Sequence, residues 1–437
     1  MNSKMFFFAF CVLSCLGVYP IKTIGLNPGS TKKSAINTFA VLPEHCVFNT
    51  VFGVVELDTI LKTEPPSEIQ TSIEKGLKWL EKAQHPDGGW GAGFHNSQRE
   101  MDPHKVPADQ ATTAMVAMSL LRTGTTLESG KYRKQLFDAT EYLLKAMEEA
   151  VPNGKITDLT GTQIQRKLGN NIDLVLASQY LTNLLDYLEK DTDLYKRVFG
   201  AVNKGIDMVQ TNMDEQGRVN GAGWAGVLQS AFATNVLESA EAKGAWVDTE
   251  ILETSKDYQR SNYDPISKKV ETKDGAGVML YAISGSVRAN AKDARKAKEL
   301  INDAVESGML DTAIVSYENL LKIGVNEKDA LRLDASTQVY NSAKIKAQEK
   351  EVLNGFGNNG GEEFMSFLQT GESLVINDDD SWTNWYNSVS ANLLNIQNSN
   401  GNWNGHHCIT SPVFCTATCL LILSINNDIE LLLNSGK

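Results

Sequence analysis

Residues 396–423 read IQNSNGNWNGHHCITSPVFCTATCLLIL and carry the clearest structural signals in the chain. A Q-x-x-x-G-x-W pattern runs from Gln397 to Trp403 and predicts a tight glycine turn after a helix. Ser411 is a good helix N-cap, and Pro412 suits the first helical position of the next helix. The stretch therefore predicts two helices joined by a turn built around glycine and tryptophan.

The same pattern occurs near the other end of the chain, from Gln84 to Trp90 in the stretch AQHPDGGWGAG. It follows a helical pattern that includes Leu77 and Leu80 and precedes an apolar helical segment over residues 109–122. This double match resembles the terpenoid cyclase and protein prenyltransferase superfamily, whose repeats carry the same Gln, Gly and Trp pattern. The resemblance implies an all-α fold, an α/α toroid formed by a double ring of about 12 helices.

Helical periodicity continues almost without interruption after residue 66, and no convincing pair of strands is present. Some of the predicted helices are rich in small residues and poor in charge, which suits an inner ring, whereas others carry charges along one side and suit an outer ring. The predicted helices cover residues 67–84, 109–122, 131–150, 171–189, 193–211, 224–242, 249–258, 277–289, 294–307, 312–323, 327–348, 362–371, 382–397 and 412–425.

Composition limits the classes of partner. The chain has 437 residues, a formal net charge of -12 and no long block of basic residues. These features argue against binding to nucleic acid or to an anionic membrane surface. A small molecule, a peptide or a glycan remains a reasonable ligand.

The N-terminus predicts export. Lys4 precedes the apolar run of residues 5–18, which is too short for a comfortable membrane span and typical of a secretory signal. Residues 12–15 also form an imperfect lipobox that ends at Cys15. We therefore expect a signal peptide or lipoprotein signal over residues 1–24, a linker and lead-in over 25–66, and a toroid domain over 67–437. The expected location is periplasmic, anchored to the outer membrane or extracellular, with membrane contact only through a lipid anchor.

The residues of an alkene-protonating cyclase are not apparent. Such an enzyme uses a D-x-D-D motif, and the nearest stretch, residues 377–380 (NDDD), does not match it. Its aspartates precede a predicted helix, where capping and first-turn roles explain them. Aromatic residues make up 8% of the chain, which is few for a cavity that stabilises carbocations. Triterpene cyclisation is therefore not expected.

Histidine and cysteine residues crowd into the segment before the last predicted inner helix. His406, His407, Cys408 and Cys415 are suitable donors for a tetrahedral zinc ion. A disulfide between Cys408 and Cys415 is the competing interpretation for an exported protein, and free buried cysteines are the third. Sequence spacing does not choose among the three.

Glycine-rich turns that contain aromatic or acidic residues predict a binding surface on one rim of the toroid. The rim candidates are Trp90, Trp224, Asp274, His406, His407, Cys408 and Cys415. Polar residues without a distinctive spacing provide further candidates, namely Gln163, Gln165, Arg166, Lys167, His95, His104, Tyr258, Glu362 and Glu363. Two functions fit these features: an exported toroid that binds a lipid, peptide or glycan in its central cavity, or a zinc-dependent transferase, cyclase or lyase of the toroid superfamily with a His/Cys site at the rim.

Overall fold

The computed structural model describes residues 67–151, 154–355 and 359–435, with side chains as far as residue 432. The predicted signal and linker lie outside this range. The described residues form α-helices, short 3-10 helices and loops, without a strand. The helices are α1 Ser67–Ala83, α2 Gln110–Arg122, α3 Arg133–Glu149, α4 Gln163–Lys167, α5 Ile172–Leu184, α6 Asp193–Thr211, α7 Gly226–Ala242, α8 Thr249–Ser261, α9 Met279–Glu306, α10 Tyr317–Lys322, α11 Glu327–Lys346, α12 Lys350–Leu353, α13 Gly361–Ile376, α14 Trp382–Ile396, α15 Pro412–Leu423 and α16 Ile429–Ser435.

Six of these helices form a closed inner ring. Each packs against the next in the order α2, α5, α7, α9, α13 and α15, and α15 packs against α2. The outer helices α1, α3, α6, α8, α11 and α14 each pack against inner helices. Every residue of α2 and of α15 is buried, because an inner helix has neighbours on all sides. The predicted double ring of about 12 helices is confirmed.

The two Q-x-x-x-G-x-W turns are equivalent joints in this ring. The Gln84 amide donates to the carbonyl of the glycine four residues later, at 2.8 Å, and to the carbonyl of Gln135 in α3, at 2.9 Å. The Gln397 amide makes the same bond to its own glycine, at 2.8 Å, and donates to the carbonyl of Ser72 in α1, at 3.0 Å. Equivalent hydrogen bonds thus connect α1 to α3 and the last outer helix, α14, to the first, α1. The connection between α14 and α1 closes the ring.

The tryptophans of these turns are core residues. Trp90 is 0% exposed, and its indole N–H donates to the carbonyl of Leu80 at 2.9 Å. Trp403 is also 0% exposed and donates to the carbonyl of Leu393 at 2.8 Å. A buried indole needs a partner for its N–H, and the preceding helix supplies one. The rim candidate Trp90 is therefore a buried core residue and is not exposed to a ligand.

One inner helix is longer than predicted. Residues 277–289 and 294–307 were expected to form two helices, but α9 runs without a break from Met279 to Glu306. The residues between the two segments include neither glycine nor proline, and the buried Asn290 side chain donates to the carbonyl of Ser286 one turn back, at 2.7 Å. The second half of α9 packs with α10 and α11 around a small separate core that includes Ile301 and Leu320.

Among the aspartates before α14, Asp379 has a structural role, but it is not the predicted capping role, because the N-cap residue of α14 is Ser381 and no side chain caps the helix there. Asp379 accepts hydrogen bonds from the backbone N–H of Ser381, at 3.0 Å, and from the Tyr340 hydroxyl, at 3.1 Å. Lys344 forms an ion pair with the same carboxylate. This carboxylate is therefore a linking group between α11 and α14.

The apolar character of α15 follows from its place in the inner ring. In the described part of the chain, no single helix is long and apolar enough to cross a membrane. One bent pair, Pro412–Leu423 with Ile425–Leu432, passes such a test by length and composition only. All residues of the first member are buried in the protein.

The two ends of the inner ring differ. The inner helices alternate with outer helices along the chain, so their N-termini share one rim and their C-termini share the other. At the C-terminal end, a cavity of about 380 Å³ is lined by apolar residues such as Met115, Phe232 and Leu368 and by polar residues such as Asn235 and Arg288. Side chains of histidine, cysteine, lysine and glutamate meet at the N-terminal rim.

Candidate functional site

Six side chains from four segments meet at the N-terminal rim, and we call them the rim cluster. They come from the end of α4, the first turns of α9 and α13, and the loop before α15. The members of the rim cluster are Lys167, Tyr281, Glu362, Glu363, His407 and Cys408.

Glu362 is the negative centre of the rim cluster. Its carboxylate lies 3.2 Å from the Lys167 ammonium nitrogen and 3.3 Å from Nδ1 of His407. The backbone N–H of Ile409 donates to its second oxygen at 3.3 Å. Burial acts to raise the pKa of Glu362, but the bond from His407 and the charge of Lys167 outweigh it, so the pKa lies below its ordinary value. Glu362 is therefore a carboxylate at neutral pH.

The pKa of Glu363, the next residue, is shifted in the opposite direction. It accepts hydrogen bonds from the Tyr281 hydroxyl at 2.5 Å and from the backbone N–H of Gly360 at 2.7 Å, and it lies 3.7 Å from Nε2 of His407. Burial and the negative charge of Glu362 raise its pKa to about 7. The pKa values of adjacent carboxyls are thus driven apart, an arrangement that allows one to be an anion and the other a proton carrier.

Cys408 has an unusual backbone conformation. Its φ of 48° lies in the left-handed region, which costs a residue with a Cβ about 1–2 kcal/mol. The Gln98 side chain donates to its carbonyl at 2.5 Å, and Lys167 lies with its nitrogen 3.5 Å from the Cys408 sulfur. The thiol is half-buried beside a positive charge. Strained residues of this kind concentrate at functional sites.

Three members of the rim cluster could hold a metal ion. One ligand atom each from Glu362, His407 and Cys408 lie within 4.8 Å of one another. Carboxylate, imidazole and thiolate are all zinc donors, and three protein ligands leave a fourth position for substrate or water. The second nitrogen of His407 faces Glu363, as an orienting partner of a metal-bound histidine does.

The predicted ligands His406 and Cys415 are not part of this group. His406 is exposed, and its backbone N–H donates to the carbonyl of Asn359 at 2.8 Å. Cys415 is fully buried in α15, where its thiol donates to the carbonyl of Ile409 at 3.5 Å. Burial raises its pKa well above the ordinary value. Among the described residues, the group that could hold a metal ion is therefore Glu362, His407 and Cys408, without His406 and Cys415.

The predicted disulfide between Cys408 and Cys415 is not formed. Both have free thiols, as does Cys419, the remaining cysteine of the described residues. Cys408 lies beside Lys167 in the loop, whereas the thiol of Cys415 is directed at a backbone carbonyl within the core. Cys46 lies outside the described residues.

Two other rim candidates lie apart from the metal-capable group. Trp224 is 46% exposed and adjoins the rim cluster through its backbone, since its N–H donates to the carbonyl of Arg166 at 3.4 Å. Asp274 accepts a hydrogen bond from the Tyr258 hydroxyl at 2.9 Å and lies 3.9 Å from Arg218. Asp274 therefore belongs to a separate surface group.

Gln163 has a structural role at the rim. Its side-chain oxygen accepts bonds from the backbone N–H groups of Thr410, at 2.7 Å, and Ser411, at 3.2 Å, and its amide donates to the carbonyl of Ala92 at 3.0 Å. It thereby fixes the loop that carries His407 and Cys408.

Sequence reasoning gave too little weight to Lys167, Glu362 and Glu363, because ordinary helix-end roles explain charges at these positions. The signal that distinguishes them is the apolar segment that follows. Glu362 and Glu363 begin α13, in which almost every residue is buried. Charges at the start of an inner helix face the interior of the rim rather than water.

The chain thus combines an all-α double ring with a polar rim cluster, and comparison with known proteins adds little about its reaction. No family model matches the chain, and no curated protein matches it. Among solved structures, it is similar to a variant of the type II terpene cyclase MstE from Scytonema bound to its substrate, geranylgeranyl dihydroxybenzoate. The two are 13% identical, with 83% of this chain and 98% of that chain covered and a TM-score of 0.42. Another match is E. coli alpha-2-macroglobulin, at 13% identity, 73% and 17% coverage and a TM-score of 0.29.

The matched structures include terpene cyclases, members of the superfamily that the sequence resembles. Because the TM-scores are below 0.5, the closed ring is inferred from the contacts of this chain alone. No reaction is inferred from the matches.

Proposed function

We propose that this protein is an enzyme whose active site is the rim cluster, and that Glu362, His407 and Cys408 hold a zinc ion there. The observation that carries the proposal is the convergence of the three donor atoms within 4.8 Å. A thiolate ligand favours zinc over magnesium or calcium, which prefer oxygen. Bound zinc would supply Lewis-acid chemistry for a carbonyl or phosphoryl group, or an activated nucleophile.

The remaining members of the rim cluster have separate tasks in this proposal. Lys167 compensates the buried charge of Glu362, at 3.2 Å. Glu363 orients His407 and, with its pKa of about 7, can hold or release a proton near neutral pH. Tyr281 fixes Glu363 by donating a hydrogen bond to it. The transferase, cyclase and lyase alternatives all remain compatible with such a site.

Metal analysis of the purified full-length chain tests this proposal. We expect one zinc per chain, removed by a chelator and restored by zinc chloride. Glu362→Gln and Cys408→Ser should each weaken zinc binding at least about tenfold, whereas His406→Ala, at the exposed neighbouring position, should have no effect. Full zinc binding by Cys408→Ser, or none by the unaltered chain, would refute the assignment.

The second candidate function is ligand binding in the cavity at the other end of the ring. The cavity of about 380 Å³ is lined by apolar residues such as Phe232 and by a similar share of polar and charged residues, among them Arg122 and Arg288, and such a concave site can hold a ligand. The ligand in this proposal is a lipid, a peptide or a glycan. Binding of a fluorescent fatty acid is the first measurement. Phe232→Trp should reduce its binding by filling the cavity, whereas Phe137→Trp on the outer surface should not. Equal binding by both variants would exclude the cavity.

Export is the location that we propose for either function. It is supported by the apolar run of residues 5–18 after Lys4. The intact mass of the chain recovered from the cell envelope would reveal cleavage or lipid attachment. Recovery of the full-length, unmodified chain from the cytoplasm would contradict the proposal.

A further inference from the structure

An exposed aromatic residue lies directly beside the rim cluster. Trp224 is 46% exposed, although the turn tryptophans Trp90 and Trp403 are fully buried. The residues around Trp224 pair with the end of α4: the Trp224 N–H donates to the carbonyl of Arg166, and the N–H that follows donates to the carbonyl of Lys167 at 2.7 Å. Trp224 is therefore held next to the backbone that carries Lys167 into the rim cluster.

Two side chains fix the orientation of the Trp224 indole. The His95 ring contacts it edge-on, with ring centroids 4.9 Å apart, and the Arg166 guanidinium lies 5.6 Å from the indole centroid. His95 is bonded in turn to Gln98, at 3.0 Å, and Gln98 donates to the carbonyl of Cys408. The indole is thus connected to the rim cluster from two sides.

The charge of Arg166 is not compensated by a carboxylate within ion-pair distance in the described part of the chain. Its neighbour Lys167 is 2% exposed and pairs with Glu362, so the two adjacent cations face opposite environments. The Arg166 side chain is exposed, so its positive charge is accessible to a ligand in solvent. Contact with an indole alone accounts for only a modest stabilisation at an exposed position.

We propose that His95, Arg166 and Trp224 form a docking platform for a small anionic molecule that carries a flat ring. The carboxylate or phosphate of the ligand pairs with Arg166, and its ring packs against Trp224. Arg166 suits this task because its planar guanidinium can bind either anion through two parallel hydrogen bonds. The platform deepens the proposed enzymatic function, on which it rests, by assigning a class of substrate to the rim cluster.

Equilibrium dialysis of the full-length protein with defined probes tests the platform. The probes are 2-naphthoate, 2-naphthyl phosphate and the neutral 2-naphthamide, each applied to zinc-loaded and to chelator-treated protein. We expect at least one anion to bind about tenfold or more tightly than the amide, and its binding to weaken as salt is added. The two anions distinguish a carboxylate ligand from a phosphate ligand.

Variants separate the platform from other modes of binding. Arg166→Gln and Trp224→Ala should each weaken binding of the anion about tenfold. Trp246→Ala, which removes an exposed tryptophan between α7 and α8, should leave it unchanged. Equal affinity for anion and amide, no effect of Arg166→Gln, or no binding of either anion would overturn the platform.

The comparison of zinc-loaded with chelator-treated protein distinguishes a failure of the platform from a failure of the proposed zinc site. Anion binding that depends on Arg166 in chelator-treated protein supports the platform even if the chain proves to bind no zinc. Binding that requires zinc and survives Arg166→Gln would show attachment to the metal and would overturn the platform alone.

Discussion

Glu363→Gln should remove part of the pH dependence of folding. In the folded chain, burial and the charge of Glu362 raise the pKa of Glu363 from 4.5 to about 7. The folded state therefore retains a proton that the unfolded state has lost, and the unfolding free energy falls as pH rises through this window. The stabilisation is complete below the unfolded pKa of 4.5 and is lost as pH rises through about 7.

The expected magnitude follows from these two pKa values. From about pH 6 to about pH 8, titration of this single group lowers the unfolding free energy by about 1.4 kcal/mol. Glutamine has nearly the shape of the protonated acid and can still accept the bond from Gly360, but it does not titrate. The fall in stability over this interval should therefore be smaller by about 1.4 kcal/mol in the variant.

Urea unfolding followed by circular dichroism, at both pH values and with a chelator present, provides the measurement. Glu149→Gln is the matched control, because Glu149 lies exposed on the outer helix α3 and should not alter the pH dependence. Asp109→Asn should separately reduce the pH dependence of the unfolding free energy, because burial and the charge of Asp173 also raise the pKa of Asp109 to about 7. Equal pH dependence in Glu363→Gln and the unaltered chain would refute the reasoning about Glu363.

Three further predictions concern the joints and thiols. Gln397→Ala removes the side-chain hydrogen bonds that join the end of α14 to Ser72 of α1. The unfolding free energy should therefore fall by about 2–3 kcal/mol, as measured by urea unfolding. A fall of less than about 0.5 kcal/mol would contradict this role. Trp90→Phe leaves the buried Leu80 carbonyl without its hydrogen-bond donor. The unfolding free energy measured by the same assay should fall by about 1–3 kcal/mol. An unchanged urea midpoint would contradict this expectation. In folded protein treated with a chelator, a thiol reagent followed by peptide mass mapping should modify Cys408 and leave Cys415 unmodified, because burial protects Cys415 and raises its pKa. Rapid modification of Cys415 would disprove its burial.

Most of the helices were predictable because their signals are local. The N-cap at Ser411 is confirmed, since its hydroxyl accepts the backbone N–H of Phe414 at 3.3 Å. The glycine turns were equally predictable. Gly401 has a φ of 98°, and a Cβ at this position would lie only 2.7 Å from the carbonyl oxygen of Lys75, so the turn requires glycine. The prediction divided the continuous α9 into two helices. It also missed the short helix α4, although Thr162 and Gln165 form a capping box at its start.

The site was only half predictable. His407 and Cys408 are adjacent and chemically distinctive, so sequence alone was enough to name them as candidates. Their partners Lys167 and Glu362 are far away in the chain and have residue types that normally mark helix ends. Cys415 was a plausible ligand by spacing, but its direction within α15 excludes it from the group.

The sequence by itself determined the succession of inner and outer helices, since periodicity, caps and glycine turns act over a few residues. Only the tertiary structure decided which residues meet at the rim, because ring closure brings the starts of α13 and α15 and the end of α4 together. Burial then separates the pKa values of Glu362 and Glu363, an effect that depends on the surroundings of each carboxyl and not on its neighbours in sequence.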